Sequence, residues 1–125
     1  MQFQDAQAVA YARPGGEGSA PTRTVRPVDL FHLSRQTMGD RALESEVLGM
    51  FLHQALTARE SMGKAGTDER RSLAHALKGS ALGVGAFAVA ECASEIEKHP
   101  EDAALPRKLG RRIEEVREFI AAISR

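Results

Sequence analysis

The chain has 125 residues, in which 17 lysines and arginines balance 17 aspartates and glutamates. A chain of this length forms a single hydrophobic core, which argues against a multidomain enzyme. Zero net charge gives no overall field that would collect nucleic acid, so a nucleic-acid binder is disfavoured. Tryptophan is absent and aromatic residues make up only 5%. The many alanines, leucines, glutamates and arginines therefore favour helices over strands.

The cellular location follows from what the sequence lacks. Cys92 is the only cysteine, so no intramolecular disulfide forms, in line with a reducing cytosol. The sequence has no apolar run of about 18 residues and no basic segment followed by an apolar run, so neither a membrane span nor a signal peptide is predicted. A membrane-surface helix is disfavoured because no segment is strongly basic and amphipathic. We predict a cytoplasmic protein without membrane contact.

Two regions differ in composition. Residues 1–27 contain the cluster Arg13–Pro21, rich in glycine, proline and small side chains that bury little surface, and we predict a disordered N-terminal tail. Within it, residues 2–11 form a short amphipathic piece to which we assign no function. Residues 28–125 are predicted to form the folded domain.

Five helices are predicted in residues 28–125. Asp29 caps a short first helix that ends at Gly39. Asp40 caps a second, from Arg41 to about Met62. Apolar contacts in these two helices are expected from Leu30, Phe31, Leu33 and Met38, and from Leu43, Val47, Leu48, Phe51, Leu52, Ala55, Leu56 and Ala58.

The last three helices follow the glycine-rich run at residues 63–66. Thr67 or Asp68 is expected to cap the third helix, which continues to about Leu82. The fourth is predicted from Ala86 to His99, and the fifth after Pro106. Their apolar stripes are Val89, Cys92, Ala93 and Ile96, and Leu109, Ile113, Val116, Ile120 and Ile123. Short connections between amphipathic helices predict an all-α, antiparallel up-and-down bundle.

The third helix carries the residues of chemical interest. At 100° per residue, its core face is predicted to hold Leu73, Leu77, Ser80 and Val84. His75 falls on the opposite, exposed side, together with Arg71, Lys78, Gly79 and Leu82. An exposed neutral imidazole is a good nucleophile near pH 7, and neighbouring cations stabilise a phosphoryl group on its nitrogen. A glycine beside it, costly to the helix, indicates close approach by another molecule.

The string His75-Ala76-Leu77-Lys78-Gly79-Ser80-Ala81, followed by Gly85-Ala86, resembles the signature of histidine-containing phosphotransfer (HPt) domains. Ala74 before the histidine and the upstream Gly39-Asp40 turn also fit. The likeness extends over about residues 28–125. It implies a four-helix bundle with a short N-terminal accessory helix, and transfer of phosphoryl groups to and from aspartates of receiver domains.

The resemblance implies a role for each matched residue. His75 would be the phosphoacceptor, Lys78 would stabilise the phosphoryl oxygens, and Gly79 would give clearance to the partner. Glu97 is matched to the position from which the family holds the histidine ring. A carboxylate there can accept a hydrogen bond from the Nδ1 proton, which fixes the tautomer that presents Nε2 for attack. Ser80 is expected to bond within the bundle.

The implied partners are response-regulator receiver domains and an upstream hybrid histidine kinase. No cofactor is expected on this chain, because Mg²⁺ should lie on the receiver. No nucleotide-binding loop is present, so ATP-dependent autophosphorylation is not expected, and the domain is expected to be a monomer.

Several of the remaining polar and exposed residues also have simpler interpretations. Leu82 is interpreted as part of a partner-docking patch, although a scattered exposed leucine needs no explanation. Arg71 either assists charge stabilisation or pairs with Asp68 or Glu69, as surface cations usually do. His32, His53 and His99 lack the spacing of a metal site and are taken as structural or surface residues.

Two other functions compete with the carrier. A non-catalytic module would use the same face to grip a receiver domain without taking its phosphoryl group. The dimerisation domain of a histidine kinase would have an acidic residue after the histidine and then a Thr-Pro pair, whereas this chain has Ala76 and then Gly79-Ser80.

Overall fold

The computed structural model describes residues 26–124, and within them the chain is helical without β-strands. The predicted all-α class is confirmed. Of the predicted tail, residues 1–25 lie outside the described part. The helices are α1 (Leu30–Thr37), α2 (Arg41–Met62), α3 (Thr67–Val84), α4 (Phe87–Lys98) and α5 (Ala104–Ile123).

The four longer helices surround one core. α2 and α4 each contact both α3 and α5, so the four form a closed ring of neighbours, while α1 packs on α2 and α3. The predicted apolar stripe of α4 is confirmed as buried, and that of α5 is confirmed for its first three members. The core is filled by Leu48, Phe51, Ala55, Leu77, Val89, Cys92, Ala93, Ile96, Leu109, Ile113 and Val116. None of the described helices is long and apolar enough to cross a membrane.

The first two helices begin where their caps predict. Asp29 Oδ1 accepts a hydrogen bond from the backbone N–H of His32 at 3.1 Å, and Asp40 Oδ1 accepts one from Leu43 at 3.0 Å. The expected apolar role of Phe31 and Met38 is wrong, because these side chains are 73% and 95% exposed. Phe31 lies on the face of α1 opposite Leu33, and Met38 follows the helix as its C-cap, whereas the buried residues of α1 are Leu33 and Thr37.

The predicted ends of α3 need correction. Gly66, not Thr67 or Asp68, occupies the N-cap position, and the helix continues past Gly83 to Val84. Gly85 ends it in the left-handed region with φ 85°. A Cβ at this position would lie 3.0 Å from the carbonyl oxygen of Asp29, so the close approach of α1 also requires glycine.

The buried face of α3 is rotated by roughly 50°, about half of one residue's turn, from the predicted arc. Ala74, Leu77, Ala81 and Val84 are buried, whereas Leu73 and Ser80 are half-buried. The reason is that α3 packs against α4 as well as α2, so its core direction lies between these two neighbours. Leu73 and Ser80 then fall on the side of α2, where Gln54 Nε2 donates to Ser80 Oγ at 2.9 Å. The expectation that Ser80 bonds within the bundle is confirmed.

The loops at one end of the bundle are held by Arg70. Its guanidinium donates to the carbonyls of Met62 at 3.1 Å, Ala65 at 2.9 Å and Pro100 at 2.6 Å. These carbonyls belong to the end of α2, the α2–α3 loop and the α4–α5 loop. Arg70 thereby fixes both loops to the first turns of α3, the helix that carries His75.

The start of α5 also differs from its prediction. The helix begins at Ala104, and Pro106 lies inside its first turn instead of before it. Proline is tolerated there because N–H groups of the first turn have no intrahelical acceptor.

Candidate functional site

His75 lies in the middle of α3, on its exposed side, and 68% of its side chain is accessible. The exposure predicted from the helical spacing is confirmed. The ring is held from one side by α4, whose last turn carries Glu97. Nδ1 of His75 lies 2.8 Å from Oε2 of Glu97.

The same carboxylate also binds Lys78. Its second oxygen, Oε1, lies 2.9 Å from Nζ of Lys78, and the side chains of Glu97 and Lys78 are only 25% and 31% exposed. The close contact with the Lys78 ammonium group, and after it the hydrogen bond from His75, holds the pKa of the Glu97 carboxyl below its ordinary value of 4.5. Glu97 is therefore ionised at neutral pH and bridges the imidazole and the ammonium group.

An ionised carboxylate can only accept hydrogen bonds, so Nδ1 of His75 must carry the proton in this contact. In the neutral ring, Nε2 then has an unprotonated lone pair. The arrangement selects one tautomer and leaves the second nitrogen available as a nucleophile.

Arg71 lies one turn before His75 and has partners of its own. Nη1 forms an ion pair with Asp68 at 3.3 Å, and Nε donates to the backbone carbonyl of Glu97 at 3.3 Å. Of the two interpretations of Arg71, the structure shows the pairing with Asp68. The second contact ties α3 to the end of α4, beside the histidine.

Gly79 and Leu82 continue the exposed side of α3 beyond His75. A Cβ at Gly79 would have no neighbouring atom within 4 Å, so packing inside the chain does not require glycine there. Leu82 is 46% exposed. Both residues are exposed, as predicted from their spacing.

A groove between α2 and α3 was not predicted. It has a volume of about 380 Å³ and passes beside Ala76, the residue after His75. The groove has no clear signal in the sequence, because its lining combines small, polar and apolar side chains from two helices. The lining side chains are His53, Gln54, Thr57, Ala58, Ser61, Leu73, Ala76 and Leu77.

The remaining histidines make no contact with His75, Lys78 or Glu97 in the described part of the structure. His32 is at the contact of α1 with the α3–α4 turn, where Nε2 lies 3.2 Å from the Gly83 carbonyl oxygen and the ring meets Phe87 edge-on at 5.3 Å. His53 and His99 are exposed. Within residues 26–124, no group of three or more histidine, cysteine, aspartate or glutamate side chains is placed to hold a metal ion.

Comparison with known protein families gives one match. The family model described as the Hpt domain matches residues 46–125, which is more than half of the chain. The chain belongs to the HPt domain family. Searches of curated proteins and of solved structures found no match. Membership implies phosphotransfer in two-component signalling and interaction with response-regulator receiver domains. The match begins inside α2, so α1 lies outside the matched part.

Proposed function

We propose that this HPt domain is a phosphorelay carrier, in which Nε2 of His75 takes a phosphoryl group from an aspartyl phosphate of one receiver domain and delivers it to an aspartate of another. The observation that carries the proposal is the 2.8 Å contact between Nδ1 of His75 and the Glu97 carboxylate. It holds the ring of an otherwise exposed side chain in one tautomer, with Nε2 left to react.

The reaction is an in-line displacement at phosphorus. The lone pair of Nε2 attacks, a P–N bond forms, and the P–O bond to the receiver aspartate breaks, with its electron pair leaving on the aspartate carboxylate. The Nδ1 proton stays in place, and the positive charge that develops on the ring faces the Glu97 carboxylate. Lys78, three residues after His75, supplies positive charge for the phosphoryl oxygens. Transfer to the next receiver reverses these steps.

Gly79, Leu82 and Arg71 form the surface over which the receiver approaches. Gly79 lies one turn after His75 and presents only backbone, which allows the partner's aspartate to reach the ring. Leu82, two turns after His75, offers exposed apolar area for docking. The α2–α3 groove beside Ala76 extends this surface on the other side.

We also propose the cofactor requirement, the source of the phosphoryl group, the cellular location, the oligomeric state and the helix order. Mg²⁺ lies on the receiver, this chain holds no cofactor, and ATP enters through a separate hybrid histidine kinase. The domain acts as a cytoplasmic monomer. Its four longer helices run antiparallel in up-and-down order, since each is joined to the next by a short loop and contacts it.

The test is transfer of label from a radiolabelled phospho-receiver to the purified protein. Wild-type protein should become labelled, and the label should be lost in acid but retained in alkali, as a phosphoramidate requires. His75→Gln should remain unlabelled. His99→Gln, which changes another exposed histidine, should behave as wild type. If receivers bind but no label moves to the wild-type chain, the carrier proposal is wrong and the protein is a docking module for receiver domains.

A further inference from the structure

Both cations beside His75 already have partners in the unphosphorylated protein. Nζ of Lys78 lies 2.9 Å from Oε1 of Glu97, and Arg71 binds the Asp68 carboxylate and the Glu97 backbone carbonyl. The unphosphorylated site is therefore not a cluster of unpaired positive charges. Its principal cation is held by the carboxylate that also holds the nucleophile.

A phosphoryl group on Nε2 brings roughly two negative charges and three strong acceptor oxygens close to Lys78. The ammonium group has three N–H donors, but as it moves towards these oxygens its 2.9 Å contact with Glu97 must lengthen. Glu97 and Lys78 are largely shielded from solvent, with side chains 25% and 31% exposed, so their attraction is screened less than that of a fully exposed pair. The Glu97 carboxylate and the phosphoryl group thus compete for Lys78.

We propose that phosphorylation of His75 exchanges the partner of Lys78, from Oε1 of Glu97 to the phosphoryl oxygens, and that this competition lowers the share of phosphoryl group that the domain holds at equilibrium. The inference rests on the proposed carrier function and adds a second role to Glu97. The carboxylate orients the histidine ring. It also makes the phosphorylated state less stable, so that the phosphoryl group moves on to the next receiver.

A double-mutant cycle isolates the competition from the orienting role. The equilibrium constant for transfer from a receiver is measured for wild type, Lys78→Met, Glu97→Gln and the double variant. Glu97→Gln keeps an amide oxygen that can accept a hydrogen bond from the Nδ1–H group but removes the negative charge. Lys78→Met is expected to lower this equilibrium constant. If Glu97 holds Lys78 in an ion pair, the factor by which the constant falls should be roughly three- to fivefold larger in the Glu97→Gln background than in wild type.

Glu95→Gln provides the matched control. Glu95 lies in α4, the helix that also carries Glu97, and it pairs with Lys108 at 3.0 Å. Neither Glu95 nor Lys108 contacts His75. The effect of Lys78→Met should be the same in this background as in wild type. An equal effect of Lys78→Met in the wild-type and Glu97→Gln backgrounds overturns the inference while leaving the carrier function intact. If wild-type protein takes no label from any receiver, the carrier function fails, and the inference fails with it.

A second measurement needs no altered Glu97. The ¹³C chemical shift of the Glu97 carboxyl is recorded at neutral pH in wild type before and after phosphorylation, and in unphosphorylated Lys78→Met. Partner exchange should move the phosphorylated wild-type signal towards that of Lys78→Met. A signal that stays at the unphosphorylated position would show that Lys78 has not left Glu97.

Discussion

Replacing Gly79 should change the stability of the fold and the rate of phosphotransfer in opposite directions. Gly79 lies in the interior of α3, and a Cβ there meets no atom within 4 Å. Glycine in a helix interior costs about 0.5–1 kcal/mol relative to alanine. Since nothing in the chain opposes the methyl group, Gly79→Ala should raise the free energy of unfolding by about that amount. The melting temperature should rise by roughly 2–8 °C.

The effect on phosphotransfer should have the opposite sign. The receiver aspartate must come within bonding distance of Nε2 of His75, and position 79 is one turn away on the same side of α3. A longer side chain, as in Gly79→Gln, would have to be displaced or compressed at each encounter. Steric overlap of about 1–3 kcal/mol corresponds to transfer slowed roughly 5- to 150-fold, because about 1.4 kcal/mol is a factor of ten.

Gly49 offers a matched comparison in another helix. It is an exposed glycine inside α2, and a Cβ there also has open space. Gly49→Ala and Gly49→Gln should therefore change stability as their Gly79 counterparts do, without slowing transfer. Urea unfolding measures stability, and quenched-flow transfer from a phospho-receiver measures the rate. A Gly79→Gln variant that transfers at the wild-type rate would refute the argument that the partner passes over this position.

Two further predictions concern charged side chains. The Glu97 carboxyl should titrate below 4.5 by NMR, and its pKa should rise more in Lys78→Met than in His75→Gln, because Lys78 is the larger cause of the lowered value; the reverse order would contradict the bridging geometry. A lowered pKa means that this carboxylate stabilises the fold above about pH 4.5 and that the contribution is lost as pH falls through the folded-state pKa. Arg70→Met should lower the free energy of unfolding by about 3 kcal/mol, at roughly 1 kcal/mol for each of its three hydrogen bonds. Urea unfolding checks this, with the exposed Arg111→Met as control; equal effects of the two substitutions would show that the loop contacts contribute nothing.

Helix positions were predictable wherever strong local signals coincide with the packing. Asp29 and Asp40 cap the helices that they were predicted to cap, because N-capping depends on residues within one turn. Thr67 did not become a cap, because the chain at Gly66 is already extended and the helix begins one residue earlier. Pro106 was taken as a boundary although proline is also compatible with a first helical turn.

Burial in α1 could not be predicted from hydrophobicity alone. Phe31 and Met38 are as apolar as Leu33, but only Leu33 faces the bundle. Which side of a short helix is buried depends on where it docks. α1 docks through the hydrogen bond from Asp29 N to the carbonyl of Gly85 at 2.9 Å, a contact between distant parts of the chain.

The nucleophile and its exposure were accessible from one helix, but its chemical environment was not. The periodicity of α3 predicts His75 and Lys78 on one exposed side; His75 is exposed as predicted, whereas Lys78 is half-buried against Glu97. Glu97 was matched to His75 through the family resemblance, and the 2.8 Å contact agrees with that match. The bridge to Lys78 was missed, although a carboxylate that reaches a histidine is also within range of a lysine one turn further along the helix.

That bridge depends on how closely α3 and α4 approach, which connects core packing to the chemistry of the site. The buried face of α3 carries Ala74 and Ala81, and that of α4 carries Ala90 and Ala93. Small side chains on facing surfaces let two helices pack at short axial distance. A single carboxylate in the last turn of α4 can then span both the imidazole and the ammonium group of α3. The buried alanines of these two helices, which take no part in the reaction themselves, therefore favour the close approach of α3 and α4 that the contacts of Glu97 with His75 and Lys78 require.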